Sequence, residues 1–326
     1  MKRNSVGKTN VRVTDISFGC ASIGNLYQEA SDQQVAEVLA SAWDAGIRYF
    51  DTAPHYGRGL SETRLGNFLS ERKRSDYVIS TKVGRVLTPG ATMAEADGFI
   101  NPLPNAVRYD YSGDGIEASL EGSLERLQTN HAEIIFVHDL GTYTHGEANA
   151  AHMEDFFGSG YERLIKLKEE GRIGAFGLGV NENQICLDVM DHGTIDVILL
   201  AGRLTLLDRS GEAKLAKRCL VDGTSLVLGG VLNSGILATG AVEGATYDYQ
   251  PAPPKILDRV RILERRAAEI GIPLATAALQ FAKRQPLAAS VLIGTASASI
   301  LLRNVDALAA EMPAGFDAVF EMPFGD

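Results

Sequence analysis

Three short apolar runs in this chain end on residues able to move a proton. The segment Tyr49-Phe50-Asp51-Thr52-Ala53-Pro54-His55-Tyr56-Gly57 reads as a buried strand entering a loop, with Asp51 at the strand's exit and Tyr56 five residues on. Val78-Ile79-Ser80-Thr81-Lys82-Val83 ends a second run with a lysine, and Ile134-Ile135-Phe136-Val137-His138-Asp139 ends a third with a histidine. A free tyrosine has a pKa of about 10, too high for efficient proton exchange near neutrality. A neighbouring ammonium stabilises the phenolate and pulls that value down. The expectation is that Lys82 lowers the pKa of Tyr56, Asp51 holds Lys82, and His138 donates to a substrate oxygen. Each residue alone has an ordinary reading: a surface tyrosine, a salt-bridged lysine, a satisfied buried histidine. Their register at successive strand ends is what joins them.

Residues so far apart in sequence need a scaffold that gathers strand ends on one face. Candidate strands fall at 16–21, 49–53, 77–83, 133–139, 174–180, 196–202, 225–231 and 290–295. Helical patterns lie between them at 32–45, 61–70, 114–127, 161–170, 182–190 and 211–220, with two at 256–270 and 274–283 before the last strand and one at 299–310 after it. Val35, Val38, Leu39 and Ala42, for example, share one helix face. Strands that are continuously apolar and alternate with helices indicate a parallel sheet covered on both faces. Eight such units predict an α/β fold of the (β/α)8 TIM-barrel class, whose strand C-termini all open on one side. Segments 84–112, 140–160 and 231–254 read as long loops on that side, where binding residues concentrate. Without a linker or low-complexity tract, residues 1–326 read as a single domain.

Three further segments have ligand-binding character. The strand at 174–180 is glycine-rich and ends at Asn181, which is placed either to bond an amide or to cap the next helix. Val227-Leu228-Gly229-Gly230-Val231-Leu232-Asn233-Ser234-Gly235 resembles a phosphate-cradling loop or a plain turn. Ile293-Gly294-Thr295-Ala296-Ser297-Ala298-Ser299 leads from the last strand into a helix, a favourable place for a phosphate. No Gly-x-Gly-x-x-Gly supports a Rossmann site, no Gly-x-Ser-x-Gly supports a hydrolase elbow, and the six scattered histidines give no metal-ligand set.

The bulk composition removes other classes. The chain has 326 residues, 45% hydrophobic and 22% charged, with a net charge of −10 and no dense basic block. Nucleic-acid binding is not expected. No apolar run reaches the roughly 18 residues of a membrane span, and no signal-peptide core follows Met1-Lys2-Arg3. Three well-separated cysteines, Cys20, Cys186 and Cys219, fit a reducing cytoplasm. The expected partner is a small-molecule substrate.

Taken together these residues resemble the aldo-keto reductase family over nearly the whole chain. The most specific match is Asp51-Thr52-Ala53-Pro54-His55-Tyr56-Gly57 followed by Leu60-Ser61-Glu62. The resemblance implies Asp51, Tyr56, Lys82 and His138 as catalytic residues. It also implies a nicotinamide cofactor stretched over the barrel mouth. Asn181 would contact its carboxamide. Gly230, Val231, Leu232, Asn233 and Gly235 would line the pyrophosphate. Gly294, Thr295, Ala296, Ser297, Arg303 and Asn304 would hold the adenosine half. Two positions depart from the pattern. Leu204 stands where many relatives place a tyrosine that stacks on the nicotinamide. Thr295-Ala296-Ser297 lacks the cation with which NADP-using relatives grip the 2′-phosphate, so NAD is expected over NADP.

Within the family, Gly24-Asn25-Leu26-Tyr27, Asp110-Tyr111-Ser112, Leu199-Leu200-Ala201-Gly202-Arg203 and Asn233-Ser234-Gly235-Ile236-Leu237 resemble bacterial sugar 1-dehydrogenases acting on D-threo-aldoses such as L-fucose. Pyridoxal 4-dehydrogenases look similar in the same places, and a general aldehyde or ketone reductase is the broader alternative. A sugar would be met by Asn101, Asn105, Arg108, Tyr109 and Asp110, with Phe99 over its C–H face. Ile100 and Leu103 would suit a flat pyridine ring instead. Rivals from other classes are a cofactor-binding regulatory subunit with this fold, which turnover would exclude, and a metal-dependent barrel hydrolase, which a chelator would inhibit.

Overall fold

A computed structural model describes residues 1–321. Eight parallel strands close into a barrel: β1 (Ile16–Gly19), β2 (Tyr49–Asp51), β3 (Val78–Val83), β4 (Ala132–His138), β5 (Ile173–Val180), β6 (Val197–Ala201), β7 (Ser225–Gly229) and β8 (Ala288–Ile293). Each pairs with its neighbours in chain order, and β8 closes on β1. Around them run α1 (Asp32–Asp44), α2 (Leu60–Ser70), α3 (Gly113–Arg126), α4 (Tyr161–Glu169), α5 (Gln184–His192), α6 (Leu215–Asp222), α7 (Pro254–Glu269), α8 (Leu274–Lys283) and α9 (Ala298–Ala309). All eight expected strands form, most of them shorter than the apolar runs that announced them.

The period-two alternation of a strand divides the core into two layers. Phe50, Ile79, Ile135, Val137 and Leu178 face outward and pack against helix residues such as Val38, Leu39, Leu120 and Leu164. Tyr49, Ile134, Phe136, Val197 and Val227 face inward with Val6 and Val13, which come from an N-terminal hairpin (Arg3–Ser5 with Arg12–Thr14) that the sequence pattern did not signal. The inward alternation continues to the strand ends, so Asp51 follows Tyr49, Lys82 follows Ser80, and His138 follows Phe136.

The long connections carry more structure than expected. Segment 84–112 folds into two antiparallel pairs, Arg85–Pro89 with Asn105–Tyr109 and Glu95–Ala96 with Phe99–Ile100. Segment 140–160 holds short helices, and 231–254 holds a hairpin of Thr246–Tyr247 with Gln250–Pro251. No helix among the described residues is long and apolar enough to cross a membrane.

The Leu60-Ser61-Glu62 motif is structural. Ser61 Oγ donates to the Cys20 carbonyl at 2.7 Å and lies 2.9 Å from Thr52 Oγ1, which fastens the loop carrying Tyr56 between β1 and β2. Glu62 is fully buried; its carboxylate accepts from Thr81 Oγ1 of β3 and from Arg126 Nε of α3, both at 2.6 Å. Removing one partner of such a buried pair leaves the other charge uncompensated. Glu62→Ala should therefore lower unfolding free energy by roughly 3 kcal/mol, read as a shifted urea midpoint. A midpoint like that of the unaltered protein would show that Glu62 does not tie these elements together.

Candidate active site

Strand register assembles the site. Asp51 lies opposite Ser80, and Lys82 lies opposite Phe136. Asp51 and Lys82 are almost completely buried, and their side chains meet, with Nζ donating to Asp51 Oδ2 at 2.7 Å and to the Thr52 carbonyl at 2.9 Å. Ser80 Oγ donates to the other Asp51 oxygen at 2.6 Å. Lys82 also faces the Tyr56 side chain, with Nζ 4.6 Å from the ring centroid. The His138 ring stands edge-on to Tyr56, centroids 5.9 Å apart. Gly57, at φ +62°, lets the chain turn away after Tyr56, because a Cβ there would lie 2.4 Å from the Gly24 carbonyl oxygen. The four strand-end residues of the sequence pattern are thus brought together.

The electrostatics correct one expectation. Burial raises the Tyr56 pKa, Lys82 lowers it and Asp51 raises it again; the balance is a value pushed up to about 12. Lys82 pulls in the expected direction, but desolvation wins, so Tyr56 is a protonated phenol at neutral pH. Burial opposes the Lys82 charge, yet Asp51 and Tyr56 over-compensate and hold its pKa above the usual lysine value. Burial raises Asp51 against the opposing pull of Lys82 and Ser80. His138 is held well below its ordinary value by burial, then by Arg85 and Lys82. His55 is pushed down to about 2 by the same causes. The set can therefore offer a phenolic proton beside a neutral imidazole, with a fixed cation to stabilise the phenolate that follows.

A cavity of about 450 Å³ opens over Tyr56, Lys82 and His138, walled by Tyr27, Phe99, Tyr143 and Tyr249 and bearing the carboxylates of Asp97 and Asp139. Of the residues expected from segment 84–112 to meet a sugar, Phe99 lines it. Asn101, Asn105, Arg108, Tyr109 and Asp110 do not. Asn101 bonds Glu29, Asn105 bonds the Arg58 carbonyl, Arg108 pairs with Asp110, and Tyr109 packs on His145. Those side chains are spent on local contacts and on neighbouring loops.

A second cleft of about 370 Å³ shares Tyr56, Leu199, Ala201 and Tyr249 with the first and runs to the end of β8. Gly230, Val231, Leu232, Asn233, Gly235, Gly294 and Asn304 line it. Asn181 lines the first cavity, its Nδ2 3.4 Å from the Ala201 carbonyl; Asn183, rather than Asn181, stands at the N-terminus of α5. Thr295, Ala296, Ser297 and Arg303 lie outside the lining. Thr295 Oγ1 accepts from the Ser297 amide, Ser297 caps α9, Ala296 packs on the core, and Arg303 is exposed. Leu204 is buried in the core, and β6 instead presents Leu199 and Ala201 to the mouth. Two features carried no clear sequence signal. Tyr249 reaches both clefts from a hairpin tip that Arg203 anchors through Asp248 at 2.8 and 2.9 Å. Arg85 lies against His138 and Asp139. The only signal for Arg85 was its place just beyond Lys82-Val83-Gly84.

The clefts fit an elongated ligand lying across the strand ends beside Tyr56, and the similarity to known proteins agrees. The model of the Aldo/keto reductase family matches residues 15–316. Pyridoxal 4-dehydrogenase of Microbacterium luteolum is 38% identical over 93% of this chain and 92% of its own length. D-threo-aldose 1-dehydrogenase of a Pseudomonas species is 34% identical over 92% and 91%. An aldo-keto reductase of Bacillus halodurans in its holo form superposes with a TM-score of 0.78 at 25% identity, covering 98% of this chain and 95% of that one. The barrel, the strand-end residues and these matches place the chain in the aldo-keto reductase family, as an NAD(P)-dependent oxidoreductase.

Proposed function

We propose that this reductase-family enzyme oxidises a neutral aldose, such as L-fucose or another D-threo-aldose, at its anomeric carbon to the lactone with NAD. The cofactor, when bound, accepts the hydride that leaves the anomeric carbon. The chain's own residues handle the proton. Tyr56 takes it from the hydroxyl, Lys82 stabilises the phenolate form, Asp51 fixes Lys82, and His138 orients the reacting oxygen. Tyr56 is protonated at rest, so the same arrangement runs in reverse as a carbonyl reductase. Asn181, residues 230–235 and the end of β8 are the chain's contribution to holding the cofactor. The free, buried thiols of Cys20, Cys186 and Cys219 agree with a cytoplasmic setting.

The observation that carries the substrate class is the charge of the cavity. Among its lining residues Asp97 and Asp139 are acidic and Lys82 is the one cation. Each is already paired, Asp97 with Arg58 at 3.6 Å, Asp139 with Arg85 at 2.7 Å and Lys82 with Asp51 at 2.7 Å, so the lining offers no unpaired cation to a charged substrate. An uncharged polyol finds acceptors there and aromatic faces for its C–H surface. The four aromatic walls and the 38% identity to a pyridoxal 4-dehydrogenase favour pyridoxal as the second reading.

Two outcomes are expected. Initial NADH formation should be faster with L-fucose or D-arabinose than with pyridoxal at equal concentration, and D-arabinose 5-phosphate should lose at least about tenfold in kcat/KM, because a phosphate brought into the cavity finds no unpaired cation there. A kcat/KM for pyridoxal above that of every aldose would overturn the sugar assignment. NAD should be preferred over NADP, and Ala296→Arg should improve NADP use by about 10- to 100-fold, the worth of a charge-assisted bond of roughly 1.5–3 kcal/mol. A wild-type preference for NADP that Arg303→Ala removes would place the phosphate clamp at Arg303 and contradict this reading.

A further inference from the structure

Arg85 enters the site through a turn that its neighbours dictate. β3 ends at Val83, and Gly84 adopts φ +100°, where a Cβ would lie 2.3 Å from the Tyr111 ring. Arg85 then begins the hairpin that covers the mouth and is 3% exposed. Its carbonyl accepts from Ser119 Oγ of α3 at 2.9 Å, which fixes the backbone beneath the side chain. Its guanidinium donates through Nη2 to Asp139 Oδ2 at 2.7 Å, and its Nη1 lies 3.2 Å from His138 Nδ1. The carbonyl contact holds the stem and Asp139 holds the head.

Asp139 is itself unusual. It follows His138 directly and takes φ +52°, a sparsely populated region for a residue with a Cβ. Its amide donates to the Gly179 carbonyl at 2.9 Å. Its carboxylate meets Arg85 and comes within 3.5 Å of His138 Nε2. The imidazole is thus flanked by a guanidinium at one nitrogen and, more loosely, a carboxylate at the other.

A guanidinium has five donors, no acceptor, and keeps its proton at any pH a protein survives. The ring nitrogen it faces must therefore present a lone pair. That nitrogen is Nδ1, so the proton of the neutral ring sits on Nε2. The 3.5 Å separation of Nε2 from Asp139 is too long for a strong hydrogen bond. The Nε2 proton stays free for an incoming oxygen.

We propose that Arg85 is a positioning residue, which holds His138 as the neutral ring protonated at Nε2 so that this proton meets the reacting oxygen, with Asp139 anchoring Arg85. This rests on the reading of His138 as the group that orients the substrate oxygen. The charged and titratable groups facing the ring are Lys82 from β3, Arg85 from the hairpin, His55 and Tyr56 from the loop after β2, and Asp139 at the exit of β4. Of these Asp139 is the carboxylate in direct reach of the ring, and Arg85 neutralises it. Without Arg85 the ring loses a cation that repels a second proton and gains an unpaired carboxylate that attracts one. The His138 pKa then rises from its depressed value, against the burial and the Lys82 charge that remain.

An Arg85–Asp139 pair that merely stapled the hairpin would affect stability and leave the imidazole unchanged, so the test reads the imidazole. In the full-length protein with 15N-labelled histidine, at neutral pH and without substrate, His138 should show an unprotonated Nδ1 and a protonated Nε2. In Arg85→Met the same ring should take up its second proton at a higher pH than in the unaltered protein. Its kcat should fall by about 10²-fold, within the range of general acid–base effects, while the KM for cofactor stays near that of the unaltered enzyme. A wild-type His138 protonated at Nδ1, or doubly protonated, overturns the proposal whether or not the variant folds. So does an Arg85→Met enzyme with unchanged His138 signals and unchanged kcat. The nuclear resonance measurement needs no substrate, so an error in the sugar assignment would not alter its outcome.

Discussion

Everything in the mouth of this barrel is arranged around a lysine ammonium that water does not reach. Lys82 is 1% exposed and Asp51 fully buried. Taking two such charges out of water costs several kcal/mol per ion unless every donor and acceptor finds a partner. Here the ammonium donates to Asp51 and to the Thr52 carbonyl and faces the Tyr56 ring, and the second Asp51 oxygen takes the Ser80 hydroxyl. That satisfaction requires β2 and β3 to pair with Asp51 beside Ser80. A register slip of one residue would turn Lys82 out into the helix layer. The ion pair therefore constrains the sheet as much as the sheet positions the pair.

The same arrangement explains the state of Tyr56. A phenol in a dry wall resists ionisation, and a single partly shared ammonium does not reverse that. The protonated phenol beside neutral His138 and His55 is a donor in waiting. Lys82 makes its conjugate base tolerable once the proton has gone. The enzyme thus keeps its proton carrier loaded at neutral pH, and oxidation must begin by emptying it.

The barrel and its four strand-end residues were legible in the sequence because both depend on local signals. Continuous apolar runs mark strands buried on two faces, and the alternation within them places Asp51, Lys82 and His138 inward. What was not legible depends on side chains returning from loops. Asn101, Asn105 and Arg108 looked like substrate ligands by type, but each is consumed within its own hairpin or by a neighbouring loop. Leu204 was matched by counting along the chain, whereas the residues facing the mouth are Leu199 and Ala201. Ser297 was read as a cofactor contact, and its hydroxyl is spent on a helix cap. Arg85 and Tyr249 reach the site by turns at Gly84 and at a two-residue hairpin tip, and no periodicity announces such a turn.

The central claim is that Tyr56 carries the substrate proton under the influence of buried Lys82. Its most direct test is the pre-steady-state rate of NADH formation from L-fucose, followed against pH in the unaltered enzyme and in Tyr56→Phe. Oxidation needs the phenolate, whose pKa lies near 12 in the free enzyme. The rate should therefore rise with pH through the neutral and mildly alkaline range. In Tyr56→Phe it should be about 10²- to 10⁴-fold lower and lose that rise, with cofactor binding retained. A variant that forms NADH at the unaltered rate, with the same pH dependence, would contradict the account.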